Sequence, residues 1–228
     1  EVELLPEAIK QIAKTKGINL PPLVAIAGPV KASECASAKP TATVFACRDY
    51  ELAKRYAKTV TTPNYSVTPS QDEIGVEVCA ALKNIYAIAL GIADGMSAAD
   101  EQPRDNLRAA IFVQAVTEMA SLCHALGGDL QTAYGLAGMG DLQLTSTAGR
   151  SRLYGHAVGA GQNPRQALEQ MQSQGLTIEG SPAALIAHQL VQQLGLNAPL
   201  LEAVYQMLHG HVDDARALIC AVALGVDA

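Results

Sequence analysis

The sequence predicts a mainly α protein whose helical bulk is preceded by the last strands of an incomplete α/β sheet. Two observations carry that expectation. Residues 1 to 70 show a strand–helix rhythm that stops near Gln71, after which helix follows helix. Composition agrees: 49% of residues are hydrophobic but only 4% aromatic, and Ala and Leu, both strong helix formers, fill much of the apolar share. At 228 residues the chain can bury a sizeable core.

The elements follow in order. Residues 4–14 read as a short amphipathic helix closed by Gly17. The run LVAIAG, ending at Gly28-Pro29, reads as a buried strand, and ATVFAC (42–47) as a second. Between that strand and a third at 64–70 lies a helix over 49–60, with Asp49 as its N-cap. Helices are then expected at 73–92, 106–126, 129–137, 164–174, 181–194, 199–209 and 212–224. Asn163-Pro164 opens one of them with a cap and a proline at the first helical position, and Gly175 ends it. The first 70 residues supply too few strands for an independent doubly wound sheet, so a domain boundary is expected near residue 70, with domains at 1–70 and 71–228.

Charge and cysteine content narrow the function classes. The formal charge is −6 with no basic run, which argues against a nucleic-acid partner. Five cysteines at 35, 47, 79, 123 and 220 are widely spaced and form no Cys-x-x-Cys, the pattern of reduced thiols in a cytoplasmic protein. The first residues, EVELLPEAIK, have no signal-peptide pattern. The apolar stretch 74–92 has the length of a membrane span, but Glu77, Lys83 and Asn84 near its centre are penalised in lipid, so we expect a buried helix and no membrane span.

No dinucleotide fingerprint is present: the Gly-x-Gly pairs at 138/140 and 159/161 lack their third glycine. His209-x-His211 has no further ligand at metal-binding spacing, so no metal site is expected. Three segments rise above this background. On a helix, Ala80, Lys83, Asn84 and Ala87 share one stripe, and the small alanines leave room beside the Lys83 ammonium. Spacing leaves two readings open, a proton-exchanging lysine in a pocket or a snorkelling lysine paired with Glu77 or Asp94. The second segment, GLAGMGDLQLTSTAGRSR (135–152), reads as a glycine-rich loop in which arginines and hydroxyls could grip a phosphate, or as a solvated polar loop. The third is RDNLRAAI, where Asn106 is expected to cap a helix with Arg108 in its first turn.

Taken together these segments resemble the NAD(P)-dependent glycerol-3-phosphate dehydrogenase family. DEIGVEVCAALKN matches its Asp-x-Ile-Gly-Val-Glu…Ala-x-Lys-Asn helix, and GLAGMGDLQLT its Gly-Leu-Ala-Gly-x-Gly-Asp-Leu-x-x-Thr. GPVKASE (28–34), Ser151-Arg152, IEG (178–180) and APLLEAVYQML (198–208) resemble further family segments in the same order. The resemblance implies an all-helical C-terminal domain of the 6-phosphogluconate dehydrogenase-like type, after the remnant of a Rossmann-like dinucleotide-binding domain. It implies the C-terminal two thirds of such an enzyme, with the glycine-rich nucleotide-binding part outside this chain.

The resemblance also implies roles. Lys83 would be the acid/base that protonates the ketone oxygen of dihydroxyacetone phosphate, with Asn84, Asp141 and Thr145 completing the catalytic set. Arg152, Ser151 and Asn106 would bind substrate, and Glu179 and Arg152 would face the cofactor, NAD or NADP. The expected partners are glycerol 3-phosphate, dihydroxyacetone phosphate and a second copy of the chain, as a cytoplasmic homodimer. Departures from the family pattern are Leu153 in place of the Asn of Ser-Arg-Asn, Val30-Lys31 in place of Ser-Phe, and a connection over 94–106 that looks longer than usual. They keep an alternative in view, a non-catalytic homologue that serves as a dimerisation or phosphometabolite-binding module. A related β-hydroxyacid or sugar-phosphate dehydrogenase is a third reading.

Overall fold

The computed structural model describes residues 5–210, 212 and 214–226. It is mostly helical with one small sheet, as the sequence predicts. Leu4 of the first expected helix, and His211 and Asp213 near the last, lie outside the described residues. The chain divides into two compact units, Glu1–Ala80 with Ala120–Asp141, and Ala81–Met119 with Leu142–Ala228.

In the first unit, α1 (Leu5–Thr15) leads to β1 (Ala25–Ala27), the short helix α2 (Ala32–Ala36) and β2 (Thr41–Ala46). Helix α3 (Tyr50–Val60) then crosses over to β3 (Tyr65–Ser70). β1 runs antiparallel to β2 with Ala25 opposite Ala46, and β2 runs parallel to β3 with Thr41 opposite Tyr65. The parallel pair needs a crossover, and α3 supplies it. Asp49 caps α3 by accepting from the Leu52 N–H at 3.1 Å. Thr43 is fully buried, so its hydroxyl must find a partner; it donates to the Ala27 carbonyl across the sheet at 2.9 Å. Pro69, which lacks an N–H, is tolerated because β3 is an edge strand. β1 is not buried on both faces as expected: Ala25 and Ala27 are buried on one face of the sheet, and Ile26 on the other is exposed.

The helical part begins with α4 (Glu73–Asp100). The Asp72 carboxylate starts it, accepting from the Gly75 N–H at 2.8 Å. The same carboxylate accepts from the Asp129 N–H at 2.9 Å and from the Thr132 hydroxyl, so it also ties down the start of α6 (Leu130–Tyr134). α4 runs eight residues past the expected end, which makes most of the supposed 94–106 connection helical. Ala98-Ala99 and the Ser97 hydroxyl, which bonds the Ala93 carbonyl at 3.0 Å, are compatible with that extension. α5 (Asp105–Ala125) follows after a short turn. Asn106 therefore lies inside the first turn of α5 rather than at its cap.

A second correction concerns residues 135–152. They form no loop. A π-helical turn over Leu136–Gly140, with the Gly140 N–H bonded to the Gly135 carbonyl at 3.0 Å, feeds α7 (Asp141–Ala148) and then α8 (Arg150–Gly159). Gly138 is required by the π turn itself, since a Cβ there would sit 2.1 Å from the Ala133 carbonyl oxygen. The remaining helices are α9 (Pro164–Ser173), α10 (Gly180–Leu194), α11 (Pro199–His209) and α12 (Ala215–Leu224). Asn163 caps α9 as expected, accepting from the Arg165 and Gln166 N–H groups.

Within the second unit α4 and α8 touch backbone to backbone. A Cβ at Gly91 would lie 2.3 Å from the Arg152 carbonyl oxygen, and one at Gly155 only 2.0 Å from that of Ile88. Gly95 against His156 and Gly159 against Ile92 repeat the contact one turn on. Each helix thus offers a Gly-x-x-x-Gly face to the other. α4 is the one helix among the described residues long and apolar enough to cross a membrane, yet 72% of its apolar window is buried inside the protein. It is a core helix.

Glu118 on α5 closes the other side of this unit. It is 2% exposed, and its carboxylate accepts from the Leu200 and Leu201 N–H groups at 2.7 and 2.9 Å, capping α11 from outside that helix. Tyr86 and Gln114 also donate to it. Burial pushes the Glu118 carboxyl above the usual carboxylate range, and the four donors oppose this.

Two predictions follow from this packing. Gly155→Ala should lower stability in urea unfolding by about 1–3 kcal/mol or more, because the backbone of α4 leaves no space for a methyl group; an unchanged midpoint would refute the close approach. For Glu118 the folded value lies above the unfolded one, so the folded state holds the proton more tightly. Its contribution to stability is full below the ordinary carboxylate range and is lost as pH rises through the raised value. Stability of the wild type minus that of Glu118→Gln should therefore fall as pH rises through that window, and a flat difference would be inconsistent with the buried acid.

Candidate active site

The second unit holds a cavity of about 190 Å³ walled by polar side chains. α4 is buried without a break from Ile85 to Ala93, and Lys83 and Asn84 sit half-buried just before that stretch. The helix thus keeps its charge where its core ends, and both residues line the cavity. α7 adds the half-buried Thr145, and the start of α8 adds Gly149, Arg150 and Ser151. Thr177 and Glu179, just before α10, complete the wall.

The polar atoms are tied to one another. Arg150 Nη2 donates to Glu179 Oε1 at 2.5 Å, and Asn84 Nδ2 donates to Glu179 Oε2 at 3.0 Å. Buried Ser151 accepts from the Gly180 N–H at 3.4 Å. α8 and α10 both begin at the cavity. The N-cap of α8 is Gly149, which has no side chain to cap with, and Glu179 at the N-cap of α10 makes no capping hydrogen bond. Two helix N-termini, an ammonium and a guanidinium favour an anion here. The volume lies below the ~300–1,000 Å³ typical of pockets for drug-sized ligands, so the cavity suits a small molecule. A larger hollow of about 610 Å³ beside α9 and α11 gathers no such set, and its Arg165 and Glu169 are already paired at 3.1 Å.

Arg152 lies two residues further along α8, and its Nε donates to Asp94 Oδ2 at 2.8 Å. Arg108 donates to the other oxygen, Asp94 Oδ1, at 3.0 Å, and to the buried Ser146 hydroxyl at 2.9 Å. One carboxylate on α4 therefore holds an arginine from α5 and one from α8, and Arg108 reaches on to α7. The Asp94 carboxylate is thus occupied by these two guanidinium groups. Leu153 is exposed on α8 and Asn106 on α5, both outside the cavity wall.

Asp141 belongs to the first unit. It is 3% exposed, follows the π turn, and its Oδ2 accepts from the Gly28 N–H at 3.4 Å. Thr145 lies one helical turn further along α7. Sequence reasoning had named Lys83, Asn84, Thr145, Ser151 and Glu179, and the structure brings these together. It does not single out Thr177 or the Asp94 bridge. Arg150, in the same run, is the first residue of α8 and lines the cavity. Among the described residues no three His, Cys, Asp or Glu side chains group as a metal site.

Residues 72–218 match the family model described as the C-terminus of NAD-dependent glycerol-3-phosphate dehydrogenase. A glycerol-3-phosphate dehydrogenase (NAD(P)+) of Symbiobacterium thermophilum is 41% identical over 189 residues, 82% of this chain and 53% of that protein. An NADP(+)-dependent glycerol-3-phosphate dehydrogenase of Archaeoglobus fulgidus is 34% identical over 187 residues, 82% of this chain and 56% of its own length. Among solved structures, glycerol-3-phosphate dehydrogenase from Coxiella burnetii superposes with a TM-score of 0.80 at 34% identity, covering 94% of this chain and 63% of that one. The chain thus spans between half and two thirds of the length of these relatives.

The Asp94 bridge gives a further prediction. Asp94→Ala leaves two half-buried guanidinium groups without their carboxylate and should cost about 2 kcal/mol or more in urea unfolding. Arg152→Met should cost less, because the Arg108–Asp94 pair survives.

Proposed function

This chain belongs to the NAD-dependent glycerol-3-phosphate dehydrogenase C-terminal family, and from that premise we propose that it carries the substrate-binding and proton-transferring half of the enzyme. The reaction is the reversible interconversion of dihydroxyacetone phosphate and glycerol 3-phosphate. The observation that carries the proposal is the small cavity in which Lys83, Arg150 and two hydroxyl side chains converge with two helix N-termini.

In the direction of reduction, the Lys83 ammonium donates a proton to the ketone oxygen as the carbonyl carbon is reduced. In the direction of oxidation, the Lys83 amine takes the hydroxyl proton. Asn84, Thr145 and Ser151 supply a carboxamide and hydroxyls for the triose oxygens. Arg150 meets the phosphate, with the α8 N-terminus behind it. Arg152, braced by Asp94, holds the start of α8 in place. Asp141, the first residue of α7, completes the catalytic set with Thr145.

A bound nicotinamide cofactor supplies the hydride in one direction and accepts it in the other. The cavity fits a triose phosphate and is too small for a dinucleotide, and the described strands carry no glycine-rich pyrophosphate cradle. The residues described here therefore account for the substrate end, and the preference between NAD and NADP is set elsewhere. Five free thiols support a cytoplasmic setting. Leu185 and Ile186, exposed on α10, support a homodimer.

The test is NADH oxidation by dihydroxyacetone phosphate, catalysed by this chain extended with the nucleotide-binding half of a relative. Lys83→Met should lower kcat about 10²–10⁴-fold with little change in KM, and Arg150→Gln should chiefly raise KM for the phosphate substrate. An inactive extended chain that folds and binds cofactor would sink the proposal.

A further inference from the structure

Asp94 holds two guanidinium groups, and it holds them unequally. Arg108 is tied at two nitrogens: Nε donates to Asp94 Oδ1 at 3.0 Å, and Nη2 to the Ser146 hydroxyl at 2.9 Å. Ser146 is fully buried and donates in turn to the Gln143 carbonyl at 2.9 Å, so that end is fixed to α7. Arg152 is held by Nε alone, on Asp94 Oδ2 at 2.8 Å. Neither of its Nη nitrogens finds an acceptor among the described residues, and neither is sealed from solvent. An arginine that only braces a fold ordinarily closes its fork on a carboxylate, two N–H groups to two oxygens. Here Arg108 occupies the second oxygen, so that closure is blocked. Charge points the same way, because two guanidinium groups around one carboxylate leave a positive charge over.

We propose that Asp94 and Arg108 are positioning residues, which together hold Arg152 by its Nε and keep its two Nη groups open for the oxygens of a phosphoryl group. The inference rests on the reading of this unit as the substrate end of a dehydrogenase. The open Nη pair is a planar fork that matches two oxygens of one phosphoryl group. A loose arginine would have to be ordered when the ligand arrives. Asp94 orders it beforehand, which removes part of that cost from binding. Arg108 does what Asp94 cannot do alone. Without it, Arg152 would close on both carboxylate oxygens, and its fork and charge would be used up inside the protein. Two sources offer such a phosphoryl group, the triose phosphate and the pyrophosphate of the nicotinamide cofactor.

Titration calorimetry on this chain, with glycerol 3-phosphate and NADH as separate probes, tests the arrangement and tells the two sources apart. Arg152→Met should weaken the probe it meets about 10–100-fold, the loss of a hydrogen bond to a charged group. Arg108→Met and Asp94→Asn should each weaken that same probe about 2–10-fold, the cost of ordering one side chain on binding. Arg108→Lys, which keeps a cation on Asp94 Oδ1, should restore binding. In an Arg152→Met background, Arg108→Met should change binding no further, although it still lowers the urea midpoint. A purely structural Arg108 would weaken binding equally with and without Arg152, and that result overturns the positioning role. So does an Arg108→Met that binds as the wild type, or an Arg108→Lys as weak as Arg108→Met; the substrate reading survives all three. If Arg152→Met binds both probes unchanged, Arg152 meets no phosphoryl group and the proposal falls. A wild type that binds neither probe overturns the substrate reading itself, and the positioning role with it.

Discussion

The backbone contact between α4 and α8 is the constraint on which the second unit rests. Two Gly-x-x-x-Gly faces let the helices approach until carbonyl oxygens of one lie where a Cβ of the other would be. Side chains between them would hold the axes apart at the usual 8–10 Å. Because the contact is made by backbone, the register of α8 along α4 is fixed with little slack. That register brings the first residues of α8 beside Lys83 and Asn84, and so creates the cavity. The apolar character of α4, which resembles a membrane span by composition, is the counterpart of this packing: a helix with glycines on one face needs a deep core on its others.

Electrostatics are arranged around the same helix in two tiers. Asp94 pairs with Arg108 and Arg152 in a half-buried bridge linking α4, α5, α7 and α8. Lys83 and Arg150 line the cavity itself, and Glu179 in the same wall pairs with Arg150. The buried charges serve the architecture. Glu118 follows the same pattern, spending its carboxylate on the bare N–H groups of α11.

Much of this was legible from sequence, for physical reasons. Lys83-Asn84 inside an apolar helix is costly unless a pocket opens beside it, and one does. Asp49 and Asn163 are caps because their side chains can reach back to free N–H groups, a local rule that tertiary context left untouched. What failed were inferences from glycine. Gly135, Gly138 and Gly140 look like a loop because glycine permits turns, but the π turn itself calls for glycine at 138, where a Cβ would meet the Ala133 carbonyl, and a single sequence does not separate the two causes. The end of α4 was misjudged because Gly95 and Ser97 weaken helix propensity, whereas packing against α8 restores it. The place of Arg150 in the cavity wall depends on the helical phase of α8, which cannot be derived while residues 135–152 are read as irregular.

The π turn before α7 has a consequence of another kind. It accommodates one residue more than an α-helical turn would, and each residue rotates a helix by about 100°. Deleting a single residue anywhere in 136–140 would leave composition, hydrophobicity and charge almost unchanged, yet it would turn Asp141 by about 100° and away from the Gly28 N–H from which its carboxylate accepts. In this segment the chain is guarding a count more than an identity. Insertions and deletions, tolerated in many surface connections, would be as damaging here as the loss of a catalytic side chain.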